Sequence, residues 1–192
     1  MHEIVDQWPD QVTLATTAGE VRRAKREGKI AAILGMEGAE GLKGDLTCLR
    51  AFHRLGVRNI GLTWNHRNEA GDGVSEARTG GGLTEFGVRL VKEMRRLGVM
   101  VDIAHLAPAG VDDVFEIGGG PIVCSHGNAR AVCDHRRNLS DAHLEKLAAS
   151  GGIIGVTFVP PFLAERPEEA TLERLLDHID HIVRVAGIDH VG

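Results

Sequence analysis

Short apolar runs rich in β-branched residues alternate along this chain with longer amphipathic stretches. Repeated units of this kind are typical of α/β proteins, in which helices cover a parallel sheet. The short runs predict six strands, over residues 30–36, 57–62, 99–104, 122–125, 153–158 and 188–192.

The amphipathic stretches predict helices that begin at capping residues and end at glycines. Apolar residues recur at every third position from Leu46 to Leu55, which places them on one helical face. Thr84 is suited to cap a helix that ends before Gly98. The helices are predicted over residues 46–55, 84–97, 141–150 and about 168–186.

A polar stretch with five glycines separates Trp64 from Leu83 and follows the second predicted strand. It is too long for a tight turn, and loops at the ends of strands commonly carry functional residues. We therefore expect this loop to overhang an active site.

Three of the predicted strands are followed directly by residues that bind metals, namely Glu37, His105 and His126. Parallel barrels gather catalytic groups at the C-terminal ends of their strands, so we expect these side chains to meet. One carboxylate and two imidazoles form a recognised zinc set, and a carboxylate such as Glu37 can bridge two metals. The pattern predicts a metallohydrolase on a TIM-type (β/α) barrel that is incomplete, with about six of the eight strands.

Length and charge narrow the function further. The 192 residues suffice for one sizeable core, so residues 1–192 are predicted to form a single domain, although a complete barrel takes roughly 250 residues. The formal net charge is −5 with both signs interspersed, which favours a small soluble substrate over nucleic acid or a membrane.

No stretch has the pattern of a signal sequence or a membrane span, and the three cysteines lack zinc or redox spacing. We expect a cytoplasmic protein with free thiols.

Several motifs give the chain a resemblance to a known family. They are Glu37-Gly38-Ala39, Gly56-Val57-Arg58, Asp102-Ile103-Ala104-His105, Ser125-His126, Arg136-Arg137-Asn138 and the run from Asp177 to Ile182. In the order and spacing of these motifs the chain is similar, over nearly its whole length, to the membrane dipeptidase (renal dipeptidase) family of zinc peptidases, although His53 stands where the family pattern has Tyr.

The resemblance implies a dipeptidase that cleaves the peptide bond with a metal-activated hydroxide. In this interpretation Glu37 bridges two zinc ions and is catalytic, while His105 and His126 hold one of them. Arg137 would bind the carboxylate of the dipeptide, because a guanidinium pairs with a carboxylate in bidentate fashion. A C-terminal residue of D configuration is also expected to be accepted.

Two departures from the family bear on this interpretation. Trp64 occupies the position of a substrate-contacting His, so either Trp64 forms an apolar wall, which we favour, or His66 reaches the substrate carbonyl. The family also takes two ligands of the other zinc from a His-x-Asp pair on an early strand and an acid/base Asp from a Gly-x-Asp-Phe segment. Neither segment is found, so we expect an internal part of a longer dipeptidase that carries one half of the site.

Two other functions remain open at this point. The chain could be a catalytically inactive zinc-binding or scaffold protein, and a third hypothesis is hydrolysis of a cyclic amide. The edges of an unclosed sheet also predict association of copies into a homo-oligomer.

Overall fold

The computed structural model describes all 192 residues and contains a five-stranded parallel sheet in the order β3-β4-β5-β6-β7. A separate pair of parallel strands, β1 and β2, precedes it. The strands are β1 (Val12–Leu14), β2 (Ile30–Ala32), β3 (Leu34–Glu37), β4 (Val57–Gly61), β5 (Met100–Asp102), β6 (Ile122–Gly127) and β7 (Ile153–Val156).

Helices connect the strands that pair with each other, as parallel neighbours require, whereas only Ile33 separates β2 from β3. Four short 3₁₀ segments lie between them, at Glu40–Leu42, Val74–Thr79, Pro167–Glu169 and Ile188–His190. None of the helices combines the length and the apolar character that crossing a membrane requires. The helices are α1 (His2–Gln7), α2 (Ala18–Arg26), α3 (Leu46–Arg54), α4 (Glu85–Leu97), α5 (Pro108–Ile117), α6 (Asp141–Ala149), α7 (Pro160–Leu163) and α8 (Leu172–Ala186).

The core lies between the helices and one face of the sheet. Helix α4 shows how the sequence builds it: the Thr84 hydroxyl accepts the Gly87 N–H at 3.0 Å, and Gly98 ends the helix at φ 70°. Between these caps, Leu90 and Met94 are fully buried against the strands. Burial of this apolar stripe supplies most of the helix's stability.

The other face of the sheet is open. Along β5 the buried Val101 alternates with Met100, which is 37% exposed, and along β7 the buried Ile154 alternates with Ile153, which is 42% exposed. A closed barrel would cover this inner face. The five strands are therefore part of an incomplete barrel, as the sequence pattern predicts.

The structure corrects several predicted boundaries. The strand predicted over 30–36 is broken at Ile33, because β2 pairs with β1 whereas β3 joins the main sheet. The predicted last strand is a 3₁₀ turn, after which Val191 forms only an isolated bridge to Ile154. The main sheet thus has five strands rather than six.

The helix predictions also need corrections. Leu55 follows α3 and is 60% exposed, so it does not continue the buried face. The last helix begins at Leu172, after the 3₁₀ turn Pro167–Glu169, rather than near residue 168. Helices α1, α2, α5 and α7 were not predicted, although Pro108 at the first turn of α5 is a typical start signal.

A fully buried histidine fastens α8 to the loops around it. His178 accepts the Ala129 N–H through Nδ1 at 3.1 Å and donates from Nε2 to the Leu163 carbonyl at 3.0 Å. Only the neutral ring can accept a hydrogen bond at one nitrogen and donate one from the other. Burial accordingly lowers the pKa of His178 below its ordinary 6.5.

The free energy of unfolding of the metal-free chain should fall as the pH drops below 6.5. Histidines in the unfolded chain have a pKa near 6.5, whereas several histidines have lower pKa values in the folded chain. As the pH falls below 6.5, the unfolded state therefore binds more protons than the folded state. Stability is lost in the pH range between 6.5 and the lower pKa values of the folded state. Urea unfolding at pH 5.5, 6.5 and 7.5 with a chelator present measures this, and stability that rose toward pH 5.5 would contradict it. The shifted groups are His105, His126, His135, His143 and His178.

Candidate metal centre

Glu37 is the last residue of β3 and lies at the C-terminal edge of the sheet. The chain turns sharply after it, because Gly38 adopts φ 107° and a Cβ there would meet the Glu40 carboxylate. The Glu37 side chain is 59% exposed and projects from the sheet edge rather than into the core.

His105 lies three residues beyond the end of β5, not directly after the strand as the sequence pattern indicated. It has φ 70°, a left-handed conformation that is uncommon for a residue with a side chain. Its carbonyl accepts the Val74 N–H at 2.9 Å, so the glycine-rich loop 64–83 is fastened to it. The loop therefore packs against His105, and non-glycine residues held in such a conformation cluster at functional sites.

His126 lies within β6, one strand further along the sheet. Its Nδ1 is 2.9 Å from the Ser125 hydroxyl, and its side chain is 32% exposed. The His105 side chain is only 4% exposed, so the site has one buried and one accessible imidazole.

The three side chains meet at one point. His105 Nε2 lies 2.8 Å from His126 Nε2 and 3.0 Å from Glu37 Oε1, and His126 Nε2 lies 3.4 Å from the same oxygen. Ligands about 2.1 Å from a tetrahedral zinc ion lie roughly 3.4 Å from each other. The observed separations of 2.8, 3.0 and 3.4 Å equal that value or fall short of it by about 0.6 Å at most, so small movements of the side chains would fit the donor atoms to a single cation.

The protonation of the rings also fits a cation. In the tautomer that donates from Nδ1 to the Asn65 amide oxygen, 2.8 Å away, His105 Nε2 carries a lone pair that faces the other two donors. Burial lowers the pKa of His105 to about 4 and lowers that of His126, so both rings are neutral at pH 7. Neutral imidazole is the form that binds metals.

Arg137 lies beside this cluster in the loop between β6 and α6. Arg137 is only 9% exposed, and this burial lowers the pKa of its guanidinium. Its Nε and Nη2 have no hydrogen-bond partner, while its Cζ lies 5.1 Å from the Phe162 ring centre. A buried guanidinium with two free donors is costly unless an anion pairs with it.

The structure places the two alternative substrate residues differently. Trp64 stacks on His105 with ring centres 5.7 Å apart and is 47% exposed, so its indole forms one side of the site. His66 is exposed, and its ring lies 6.3 Å from that of Trp64 rather than against the three donors. Trp64 thus lies against one of the three donor residues, and its role toward a substrate stays a prediction.

Sequence reasoning missed Asn65, whose contact with His105 depends on the loop conformation. The only signal was its position next to Trp64, four residues after the end of β4. Sequence reasoning also missed one His-x-Asp spacing, His178 to Asp180, which lies in α8 rather than on an early strand. It is not the ligand pair of the family, because both nitrogens of His178 are engaged by the backbone.

The fold and the site together define a class of protein. A parallel β/α sheet that carries a carboxylate and two imidazoles at the C-terminal edge is the arrangement of metal-dependent hydrolases on β/α barrels. Within this class, the family model described as membrane dipeptidase (peptidase family M19) matches residues 1–192. The chain belongs to the membrane dipeptidase family.

Relatives of known sequence and structure agree with this assignment. The dipeptidase verJ of Clonostachys rogersoniana is 37% identical over an alignment of 194 positions that covers 100% of this chain and 49% of that protein. A metallopeptidase from Rhodobacter sphaeroides, solved with a phosphinate mimic of the dipeptide L-Ala-D-Ala, is 38% identical with a TM-score of 0.89, over 95% of this chain and 54% of that one. The probable dipeptidase PvdM from Pseudomonas aeruginosa is 27% identical with a TM-score of 0.91, over 100% of this chain and 63% of that one.

These matches confirm the predicted fold class, an α/β chain similar to the TIM-type barrels of this family, and the predicted family. The chain spans about half the length of the curated relatives it matches.

Proposed function

We propose that this chain supplies one half of a two-zinc centre and that the whole protein hydrolyses dipeptides. The observation that carries the proposal is the convergence of Glu37, His105 and His126, which come from three separate strand ends and place their donor atoms within 4.8 Å of one another. Exposed acidic residues commonly gather without an ion, whereas this cluster also contains a buried imidazole that faces a second imidazole and a carboxylate.

Glu37 is the natural bridge between two cations. Both of its contacts with the imidazoles are made through Oε1, so Oε2 would remain available to a second cation. Two imidazoles and one carboxylate suit zinc, whereas magnesium and calcium prefer sites made of oxygen ligands alone. Zinc bound here supplies Lewis acidity and lowers the pKa of water near neutrality.

Arg137 and Trp64 hold the dipeptide in this proposal. The free donors of Arg137 at Nε and Nη2 pair with the C-terminal carboxylate of the substrate, which restricts the enzyme to short peptides with a free C-terminus. The exposed face of Trp64 packs against the substrate and keeps water from the reacting carbonyl.

The substrate class also follows from these contacts. Arg137 and the metal ions would contact the main-chain groups of a dipeptide rather than its side chains. Dipeptides whose second residue has the D configuration should therefore be accepted. The phosphinate mimic of L-Ala-D-Ala bound by the Rhodobacter sphaeroides metallopeptidase supports this extension.

The whole protein, loaded with zinc, should hydrolyse L-Ala-L-Ala and L-Ala-D-Ala and should lose this activity on chelation. Readdition of zinc should restore it. N-acetylated tripeptide amides, which lack the free carboxylate, serve as the matched control and should not be cleaved. A zinc-loaded protein that cleaved no dipeptide would contradict the proposal, and cleavage of cyclic amides in place of dipeptides would favour the third hypothesis.

A second candidate applies to these 192 residues alone, namely zinc binding without turnover. It is favoured by the lack of an early His-x-Asp strand, since the second cation would then have only Glu37 as a ligand. One zinc per chain without hydrolysis supports it, whereas two zinc ions with hydrolysis support the enzyme.

A further inference from the structure

Asp102, the last residue of β5, is 5% exposed and contacts both neighbouring strands, β4 and β6. Its Oδ1 accepts two backbone N–H groups, from Ala104 and from Ser125, each at 3.0 Å. Its Oδ2 accepts from the Asn59 side-chain amide on β4 at 3.3 Å.

The two backbone N–H groups that Oδ1 accepts belong to the residues directly before the two histidines of the cluster. Ala104 immediately precedes His105, and Ser125 immediately precedes His126. A single buried oxygen atom therefore joins the two backbone segments that carry the two imidazoles. None of the other carboxylates has hydrogen bonds to the residues next to both imidazoles.

We propose that Asp102 is a positioning residue for the metal centre: its Oδ1 holds the backbones before His105 and His126 so that the two Nε2 atoms face one cation. The inference rests on the proposed function, because it assumes that these imidazoles are ligands. It adds a residue that touches neither the metal nor the substrate.

The backbone at His105 explains why such support is needed. A left-handed conformation at a residue with a side chain is unfavourable and persists only when neighbouring contacts enforce it. The bond from Ala104 N–H to Asp102 fixes the turn directly before His105. Without it, the turn can relax and carry the imidazole away from His126.

The acceptor rather than the charge is the essential property in this account. Asn at position 102 keeps an oxygen that can accept both N–H groups. Its amide nitrogen would face Asn59, whose own Oδ1 has no partner and can accept from it once the Asn59 amide is rotated. Asp102→Asn is therefore the conservative variant, and Asp102→Ala removes the acceptor.

Zinc affinity of the chain, measured by competition with a chromogenic chelator, tests the proposal. Asp102→Ala should weaken zinc binding about 10- to 100-fold, the usual effect of losing a group that orients a ligand. Asp102→Asn should stay within about fivefold of wild type, since only charge assistance is lost. The absorption spectrum of bound Co²⁺ should change in the Ala variant and be retained in the Asn variant.

Asp45→Ala is the matched control. The Asp45 carboxylate also accepts a backbone N–H, that of Thr47 at 2.7 Å, but it caps α3 away from the centre. This variant should lower thermal stability and leave zinc affinity unchanged, so it separates lost folding from lost positioning.

The outcomes are distinct. If wild type binds zinc and Asp102→Ala binds it equally well with the same Co²⁺ spectrum, the positioning role is wrong and the metal centre stands. If wild type binds no zinc, the metal centre and the positioning role both fail. If Asp102→Ala does not fold, Asp102→Asn decides: affinity near wild type supports the role, and a loss as large as that of His126→Ala overturns it.

Discussion

Glu37→Ala in the whole protein is expected to lower kcat/KM for dipeptides by at least roughly 10³-fold, or about 4 kcal/mol of transition-state stabilisation. The reason is geometric, because Glu37 Oε1 lies within 3.4 Å of both imidazole nitrogens and no other carboxylate joins this group. Loss of the bridge should also reduce the number of bound zinc ions. Steady-state hydrolysis and metal analysis of the same samples measure both effects.

Two further variants make this prediction specific. Glu37→Gln keeps the shape and removes the charge, and it should lose nearly as much activity as Glu37→Ala. His53→Ala removes an imidazole from α3, outside the cluster, and should behave as wild type. Full zinc content with near-normal turnover in Glu37→Ala would show that the carboxylate is not a ligand.

Arg137→Met should reduce kcat/KM for free dipeptides about 100- to 1,000-fold, because the substrate carboxylate loses its charged partner in a buried site. The same change should leave the free energy of unfolding unaltered or raise it by up to about 2 kcal/mol. The guanidinium is buried with two unpaired nitrogens, and an apolar side chain of similar length avoids that cost. Activity should therefore fall without any loss of stability.

Kinetics on two substrates and urea unfolding check this result. Wild type should prefer a free dipeptide strongly over its C-terminal amide, and Arg137→Met should lose most of that preference. Arg136→Met, a change at the exposed neighbouring arginine, is the control and should keep it. A variant that is strongly destabilised but retains the preference would make Arg137 a structural residue.

Much of the site was predictable because the end of an apolar run in the sequence marks the approximate end of a strand. Glu37 and His126 belong to runs of apolar residues, and parallel strands in chain order bring their C-terminal ends to one edge of the sheet. His105 was also expected at this edge, but it was predicted to follow its strand directly, whereas it lies in the turn after the strand. Its strand ends at Asp102, and alternation along a strand says nothing about a residue in the turn that follows.

The parts that could not be predicted depend on contacts between distant segments. Asn65 reaches His105 across 40 positions of the chain, and Asp102 reaches Ser125 across 23. Neither contact has a local pattern, because each depends on how a loop or a strand end lies in the folded sheet. The break at Ile33 has the same origin, since β2 pairs with β1 and leaves the main sheet to β3.

An anomalous diffraction map at the zinc absorption edge, from crystals of the chain grown with zinc, tests the central claim most directly. The account predicts a peak about 2.0 to 2.2 Å from Glu37 Oε1, His105 Nε2 and His126 Nε2 together. A map with no peak among these three atoms, or with zinc bound only elsewhere on the chain, would contradict it.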